Sequence, residues 1–359
     1  MHVEWTSYLP KPGCFEAVLE NRRRACAVRR AIGLAPGEVH VADGDGGPMV
    51  FWSCAFDSEE AQARDLQARA DSAEFEAVRA RMRTLIDRFE RRVLRAVGSN
   101  AGAIRERSIA GVAIRPREVT FESDGTALVG YLYLPPGDGP FPCLVTNHGS
   151  TINQGTTDVC RPGVAALLMS WGIASFLPHR RGYGNSPGVP WREAVGAEFG
   201  TPEYDAGLAA RLDDESRDVV AALDHVSALP EIDAEHVGVI GSSFGGTVTL
   251  LAAARCPRFR CAVEFAGAAM NWERTPRLRE TMLAAAAALT QPIFFAQAAN
   301  DYSVRPTIEL AASLEGSGKV VESKVYPDFG LTRDEGHFLY GNGGVVWGPD
   351  VRRFLERWL

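Results

Sequence analysis

Gly241-Ser242-Ser243-Phe244-Gly245 sets a serine between two glycines at the spacing GxSxG. With 36 glycines in 359 residues the match alone decides little, so its surroundings must carry the reading. Val237 to Ile240 is an apolar run of strand character, and Phe244 to Arg255 reads as a helix beginning directly after the serine. A strand-to-helix turn that tight strains the backbone at Ser243, and glycines on both sides relieve the crowding. It also holds the hydroxyl out beside the positive end of the following helix. That is a nucleophile's setting. Ser242, one residue earlier on the strand, lacks the glycine spacing and is the lesser candidate.

A serine hydroxyl is a poor nucleophile until a base takes its proton. A nucleophile on such an elbow takes its base from beyond the last strand. Of seven histidines, only His337 follows Ser243, in the Gly-rich stretch DEGHFLYGNGG after the strand VESKVYP. A carboxylate must then hold the imidazole in its productive tautomer. Glu264, Asp301, Asp328 and Asp334 lie between the two. Asp301 is preferred, because it follows the strand IFFAQA and precedes a helix opened by Pro306, whereas Glu264 lies inside a strand. Two backbone N–H groups are needed for the developing oxyanion. Phe244 supplies one, and Ser150, in the loop after CLVTNHG, supplies the other, with Thr151 next. His148 reads as a structural prop.

Together these residues imply acyl transfer to water through an acyl-enzyme on Ser243, with small carboxylic esters first among substrates. Amides and peptides, thioesters, or a C–C bond next to a ketone would use the same three side chains. Trp191, Phe199 and Tyr204, in the excursion 183–211, and Trp272 are candidates to line the substrate pocket or simply to pack. GSSFGG lacks the GK[ST] that would make it a phosphate loop. No metal cluster stands out, and no cofactor is required. A reading of another class is a dimeric binding or scaffold protein that keeps the three residues without turnover. In a third, the first segment does the chemistry; its lone histidines, His2 and His40, read more simply as surface or core residues.

The elements that must position this chemistry fill the second part of the chain. After two alternating runs, REVTFES and LVGYLYLP, come strands at 143–149, 174–180, 236–242, 261–267, 293–298 and 321–327. Helices fit between them, near 162–171, 212–228, 244–255, 277–289 and 306–314, with a last one at 349–359. This alternation predicts a mostly parallel central sheet flanked by helices, an α/β fold over 112–359. Residues 98–111 are small and polar and read as a linker. Residues 1–97 have a different grammar. Strand (His2–Leu9), helix (Phe15–Ile32), two strands (38–41 and 49–56), a helical stretch broken near Ala70 and running to about Phe89, and a short strand through Val93 follow in order.

A net charge of −7 argues against nucleic acid as a partner. No run reaches the roughly 18 apolar residues of a membrane span, and the first residues are not a secretory signal. Seven cysteines without paired spacing point to free thiols and a reducing cytoplasm.

Residues 112–359 resemble α/β-hydrolases of the dienelactone hydrolase and prolyl-oligopeptidase-like group. HRRGYGNSPG (179–188), RDVVAALDHVSALPEIDAEHVGVIGSSFGG (217–246) and PIFFAQAANDYSVRP carry the likeness. The resemblance implies the α/β-hydrolase fold and the Ser243, Asp301, His337 set. It departs from true dienelactone hydrolases, whose nucleophile is a cysteine, and it lacks the oligopeptidase propeller. The βαββαβ order of residues 1–97 resembles the small α+β ferredoxin-like domains that form dimeric α/β-barrels, NIPSNAP-type domains among them. That likeness implies a homodimer.

Overall fold

The computed structural model describes residues 2–44, 47–56, 58–95, 104–155 and 161–359. The chain forms two compact units, Met1–Ser99 and Asn100–Leu359. The first runs β1 (His2–Pro10), α1 (Phe15–Ala31), β2 (Glu38–Gly44), β3 (Gly47–Phe56), α2 (Glu59–Asp71), α3 (Ala73–Leu85) and β4 (Ile86–Arg95). Its strands order as β2-β3-β1-β4, each antiparallel to its neighbour, which is the split βαβ arrangement of a ferredoxin-like unit. Strand alternation divides the sheet into two faces. Val50, Trp52 and Cys54 are buried in a core with Val18 and Cys26 of α1 and Met82 of α3. Trp5 and Phe51 lie together on the opposite face, their rings 5.5 Å apart.

The helical stretch expected to reach about Phe89 breaks at Ser72, whose side chain caps α3 by accepting from Phe75 N, and stops at Leu85. Ile86 turns extended, and β4 pairs with β1 along its length. Sheet pairing here overrides the helix-forming composition of IDRFERRVLR. Of the linker expected at 98–111, residues 98–103 lie outside the described residues. Residues 104–111 lie along the second unit, where Arg107 N donates to Ser170 O at 2.7 Å and Ile109 packs among Tyr131, Tyr133 and their neighbours.

The second unit begins with β5 (Arg117–Ser123), β6 (Thr126–Tyr133), β7 (Phe141–Asn147), α4 (Pro162–Ser170) and β8 (Ala174–Pro178). There follow α5 (Trp191–Val195), α6 (Pro202–Ser227), β9 (Ile232–Ser242), α7 (Phe244–Arg255), β10 (Ala262–Phe265) and α8 (Pro276–Ala288). It closes with β11 (Ile293–Ala298), α9 (Arg305–Ser313), β12 (Val321–Tyr326), α10 (Arg333–His337), α11 (Leu339–Asn342) and α12 (Gly344–Trp358). The eight strands order as β12-β11-β10-β9-β7-β8-β6-β5, parallel from β12 to β8 and antiparallel at β6 and β5. One core packs Leu212, Val219, Leu250 and Leu278 against the sheet, and a second packs Leu168, Trp347 and Phe354 on its other face. A sheet buried on both faces suits β7, in which every residue is buried.

Two helix boundaries differ by several residues from the sequence expectation. Helix α6 starts at Pro202, ten residues earlier than the apolar pattern suggests, because Thr201 accepts from Tyr204 N and Pro202 suits the first turn. The last helix starts at Gly344 and runs through Pro349. No helix among the described residues is long and apolar enough to cross a membrane. The chain leaves β7 toward β8 on one side, and β9 lies on the other. Crevices at such switch points, beyond the carboxyl ends of strands, are where open α/β sheets bind ligands.

Candidate active site

Ser243 sits at that crevice, between β9 and α7, with φ 59° and ψ −126°. A non-glycine residue held in this region costs about 1–3 kcal/mol and persists only where its surroundings over-determine it. They do so here. Ser243 N donates to Phe265 O at 2.9 Å. A Cβ on Gly245 would stand 2.2 Å from Asn147 O, and one on Gly241 would stand 2.4 Å from Gly245 O. The flanking glycines therefore let the elbow backbone press against the end of β7.

His337 ends α10, a short helix where a loop was expected, fixed at its start by a reciprocal cap between Thr332 and Glu335. Its Nδ1 faces Asp301 Oδ1 at 2.9 Å and Oδ2 at 3.2 Å. Asp301, just past β11, also accepts from Tyr302 N at 2.6 Å and from Gln297 Nε2 at 2.9 Å. With a carboxylate that can only accept on one side, the network places the imidazole proton on Nδ1 and leaves Nε2 as a base. Ser243 and His337 line one cavity of about 260 Å³. Ser243 Oγ makes no hydrogen bond among the described residues.

The glycine loop after β7 approaches Ser243 closely. A Cβ on Gly149 would stand 3.3 Å from Ser243 Cβ. His148 Nδ1 donates to Gly149 O at 2.7 Å, and its Nε2 receives Arg180 N at 3.4 Å. Burial, then the charges of Arg180 and His179, hold His148 well below the usual imidazole range, so it is neutral. Carbonyl and N–H point oppositely in a trans peptide, so the bond to Gly149 O directs the Ser150 N–H away from His148. Trp191 Nε1 donates to Ser150 O at 3.3 Å, and its ring packs on Phe244 at 4.9 Å. One indole thus contacts both the Ser150–Thr151 peptide and the Phe244 ring.

Beneath this loop lies a fully buried ion pair that sequence reasoning missed. Arg180 Nε donates to Glu215 at 2.7 Å, and Arg180 Nη2 reaches His148 O at 2.8 Å. The only signal for it was the cation in HRRGYGNSPG, whose acidic partner sits on a distant helix.

Glu264, the alternative acid, lies in β10 behind the elbow, where it accepts from Gly267 N rather than facing His337. The four aromatics named as pocket candidates do not line the cavity. Trp191 braces the loop from behind. Phe199 is exposed and packs edge-on against Tyr204 of α6 at 5.3 Å. Trp272 is buried with Nε1 on Glu309 at 3.0 Å. The apolar walls come instead from Val164, Leu177, Met270, Phe338 and Tyr340. Among the described residues no cluster of three or more His, Cys, Asp or Glu could hold a metal ion.

Residues 202–336 match the model of the Dienelactone hydrolase family. Acyltransferase drtE of Aspergillus calidoustus is 29% identical over 147 residues, 41% of this chain and 41% of that protein. The "Putative carboxymethylenebutenolidase" of Synechocystis sp. is 27% identical over 173 residues, 45% of this chain and 63% of that one. The matched segments thus span less than two thirds of either relative. Porphyromonas gingivalis dipeptidyl peptidase 4 aligns with a TM-score of 0.50 at 18% identity, over 68% of this chain and 35% of its own. A Mycobacterium tuberculosis puromycin-hydrolyzing peptidase gives 0.50 at 17% identity, over 68% and 40%. At such identities the likeness to solved structures speaks to the fold.

Proposed function

We propose that this chain, a hydrolase of the α/β-hydrolase superfamily with a Dienelactone hydrolase family segment, is a serine hydrolase that cleaves small carboxylic esters. The observation that carries the reading is the Asp301–His337 pair opening onto the same cavity as the strained Ser243. Ser243 Oγ attacks the ester carbonyl while His337 Nε2 takes its proton. The tetrahedral oxyanion rests on the Phe244 and Ser150 amides. His337 returns the proton to the departing alcohol, and water, activated by the same imidazole, releases the acid from Ser243.

A fluorophosphonate probe is expected to label the full chain once, at Ser243. Ser243→Ala abolishes labelling and lowers kcat on an activated aryl ester by about 10⁵-fold or more. Labelling or turnover that survives the substitution would refute Ser243 as the nucleophile, and a native chain that neither labels nor turns over an ester would favour a binding protein. A second reading, transfer of the acyl group to an alcohol instead of water, draws on the likeness to Acyltransferase drtE. Partition of product between acid and new ester, with added small alcohols, separates the two.

Pairing of two copies through the N-terminal sheet is part of the same proposal. On the face away from the helices, Trp5 stacks on His40 at 6.0 Å and lies against Phe51, an aromatic patch suited to a second sheet. Light scattering should give twice the 38.9 kDa chain mass, and a monomer at micromolar concentration would overturn it. A cytoplasmic setting fits the six described cysteines, all of them free thiols.

A further inference from the structure

The N-terminal unit encloses a cavity of about 540 Å³ between the helix-facing side of its sheet and α1, α2 and α3. Its walls are apolar at Trp52, Phe75, Val78 and Met82, yet five arginines and a single carboxylate, Glu4, also line it. Most of these guanidiniums are matched. Arg69 and Arg91 share Glu4, each at 3.0 Å, and Arg69 also meets Asp65 at 2.7 Å, the same carboxylate that holds Arg29 at 2.5 Å. Arg79 and Arg83 pair with Glu76 near the surface. Among the described residues Arg22 meets no carboxylate. It is 5% exposed, stacks over Trp52 at 4.4 Å, and makes one long bond to the Tyr8 hydroxyl at 3.5 Å. Its Nε and Nη2 are buried and have no partner.

A guanidinium keeps its charge in a protein, and a buried charge without a counter-ion costs several kcal/mol. The Trp52 ring recovers part of that cost. An anion in the cavity beside Arg22 would supply the missing counter-charge. We propose that this cavity binds a small organic acid, its carboxylate paired with the Arg22 guanidinium and its apolar body lying among Phe75, Val78 and Met82. The site is separate from the Ser243 cavity and does not depend on the hydrolase reading.

Fluorine NMR of para-fluorophenylbutyrate with the full-length chain tests it. Saturable broadening is expected, unchanged after Ser243 is blocked with a fluorophosphonate. Phenylbutyrate should displace the probe, whereas phenylbutanol, which lacks the charge, and inorganic phosphate, which lacks the apolar body, should not. Arg22→Met weakens binding at least about tenfold, and Arg22→Lys, which keeps the charge but not the guanidinium, falls between. Should Arg22→Met fail to fold, the competition on the native chain decides alone. Absence of saturable binding, equal displacement by the alcohol, loss of the signal on blocking Ser243, or undiminished affinity in a folded Arg22→Met chain would overturn the proposal.

Discussion

Asp301→Asn is expected to fold and to lose about 10³- to 10⁴-fold in kcat, the loss that follows when a catalytic imidazole is held in the wrong tautomer. Three donors converge on this carboxylate: His337 Nδ1, Tyr302 N and Gln297 Nε2. An amide nitrogen at either oxygen position therefore meets another donor. Gln297 cannot turn over to help, because its Nε2 also donates to Ser303 O at 2.7 Å and its Oε1 accepts from Thr307 at 2.9 Å. The imidazole loses both its orienting acceptor and the negative charge that stabilises it when protonated. Steady-state hydrolysis of an activated ester, with the melting temperature measured alongside, checks this. A loss under about tenfold in a folded protein would mean that Asp301 is not the third member.

Glu264→Gln should do the opposite, sparing kcat while making the protein more stable at alkaline pH. Burial, only partly opposed by the Gly267 N–H, pushes the Glu264 carboxyl from its ordinary value of 4.5 up to about 8, with Asp301 adding to the rise. Below 4.5 both folded and unfolded chains hold the proton, and stability is unaffected. Between 4.5 and about 8 the unfolded chain releases it while the folded chain keeps it, so stability falls as pH rises, and the full cost persists above. At about 1.4 kcal/mol per pH unit, the window is worth several kcal/mol. Glutamine keeps an acceptor for Gly267 N and removes the titration. Urea unfolding at about pH 5 and about pH 8 should show a gain that grows with pH, of order 3 kcal/mol at the upper end. An equal effect at both pH values would rule out a protonated Glu264, and a large loss of kcat would return it to the contest with Asp301.

The contrast between these two acids shows how far one dimension of information reaches. Asp301 was preferred to Glu264 because it follows a strand and precedes a helix. The structure then pairs Asp301 with His337 and turns Glu264 toward the elbow backbone. Loop position was legible because a parallel sheet with crossover helices collects the loops after its strands at one edge, whatever the side chains. The aromatics failed for the complementary reason. Trp191, Phe199, Tyr204 and Trp272 were picked by type and neighbourhood, but which wall a ring faces depends on the packing of α5, α6 and α8. Trp191 donates to the loop after β7, and the cavity takes Met270 and Tyr340 instead.

Element boundaries divide in the same way. The start of α6 is written locally in Thr201 and Pro202 and could have been read. The end of α3 could not, since IDRFERRVLR leaves the helix only because β1 offers it an edge.

The order of chemical parts is written in the chain. It sets a serine between glycines at a strand–helix junction, one histidine beyond it, one carboxylate in a strand-end loop, and a smaller βαββαβ unit ahead. These follow from spacing and chain order, which local sterics and sheet topology convert directly into place. What surrounds them came from the fold: the indole behind the loop after β7, the Arg180–Glu215 pair beneath it, the raised carboxyl of Glu264, and the Arg22 guanidinium with no counter-ion among the described residues. Each depends on which side chains distant segments bring into one low-dielectric space, and no spacing along the chain encodes that.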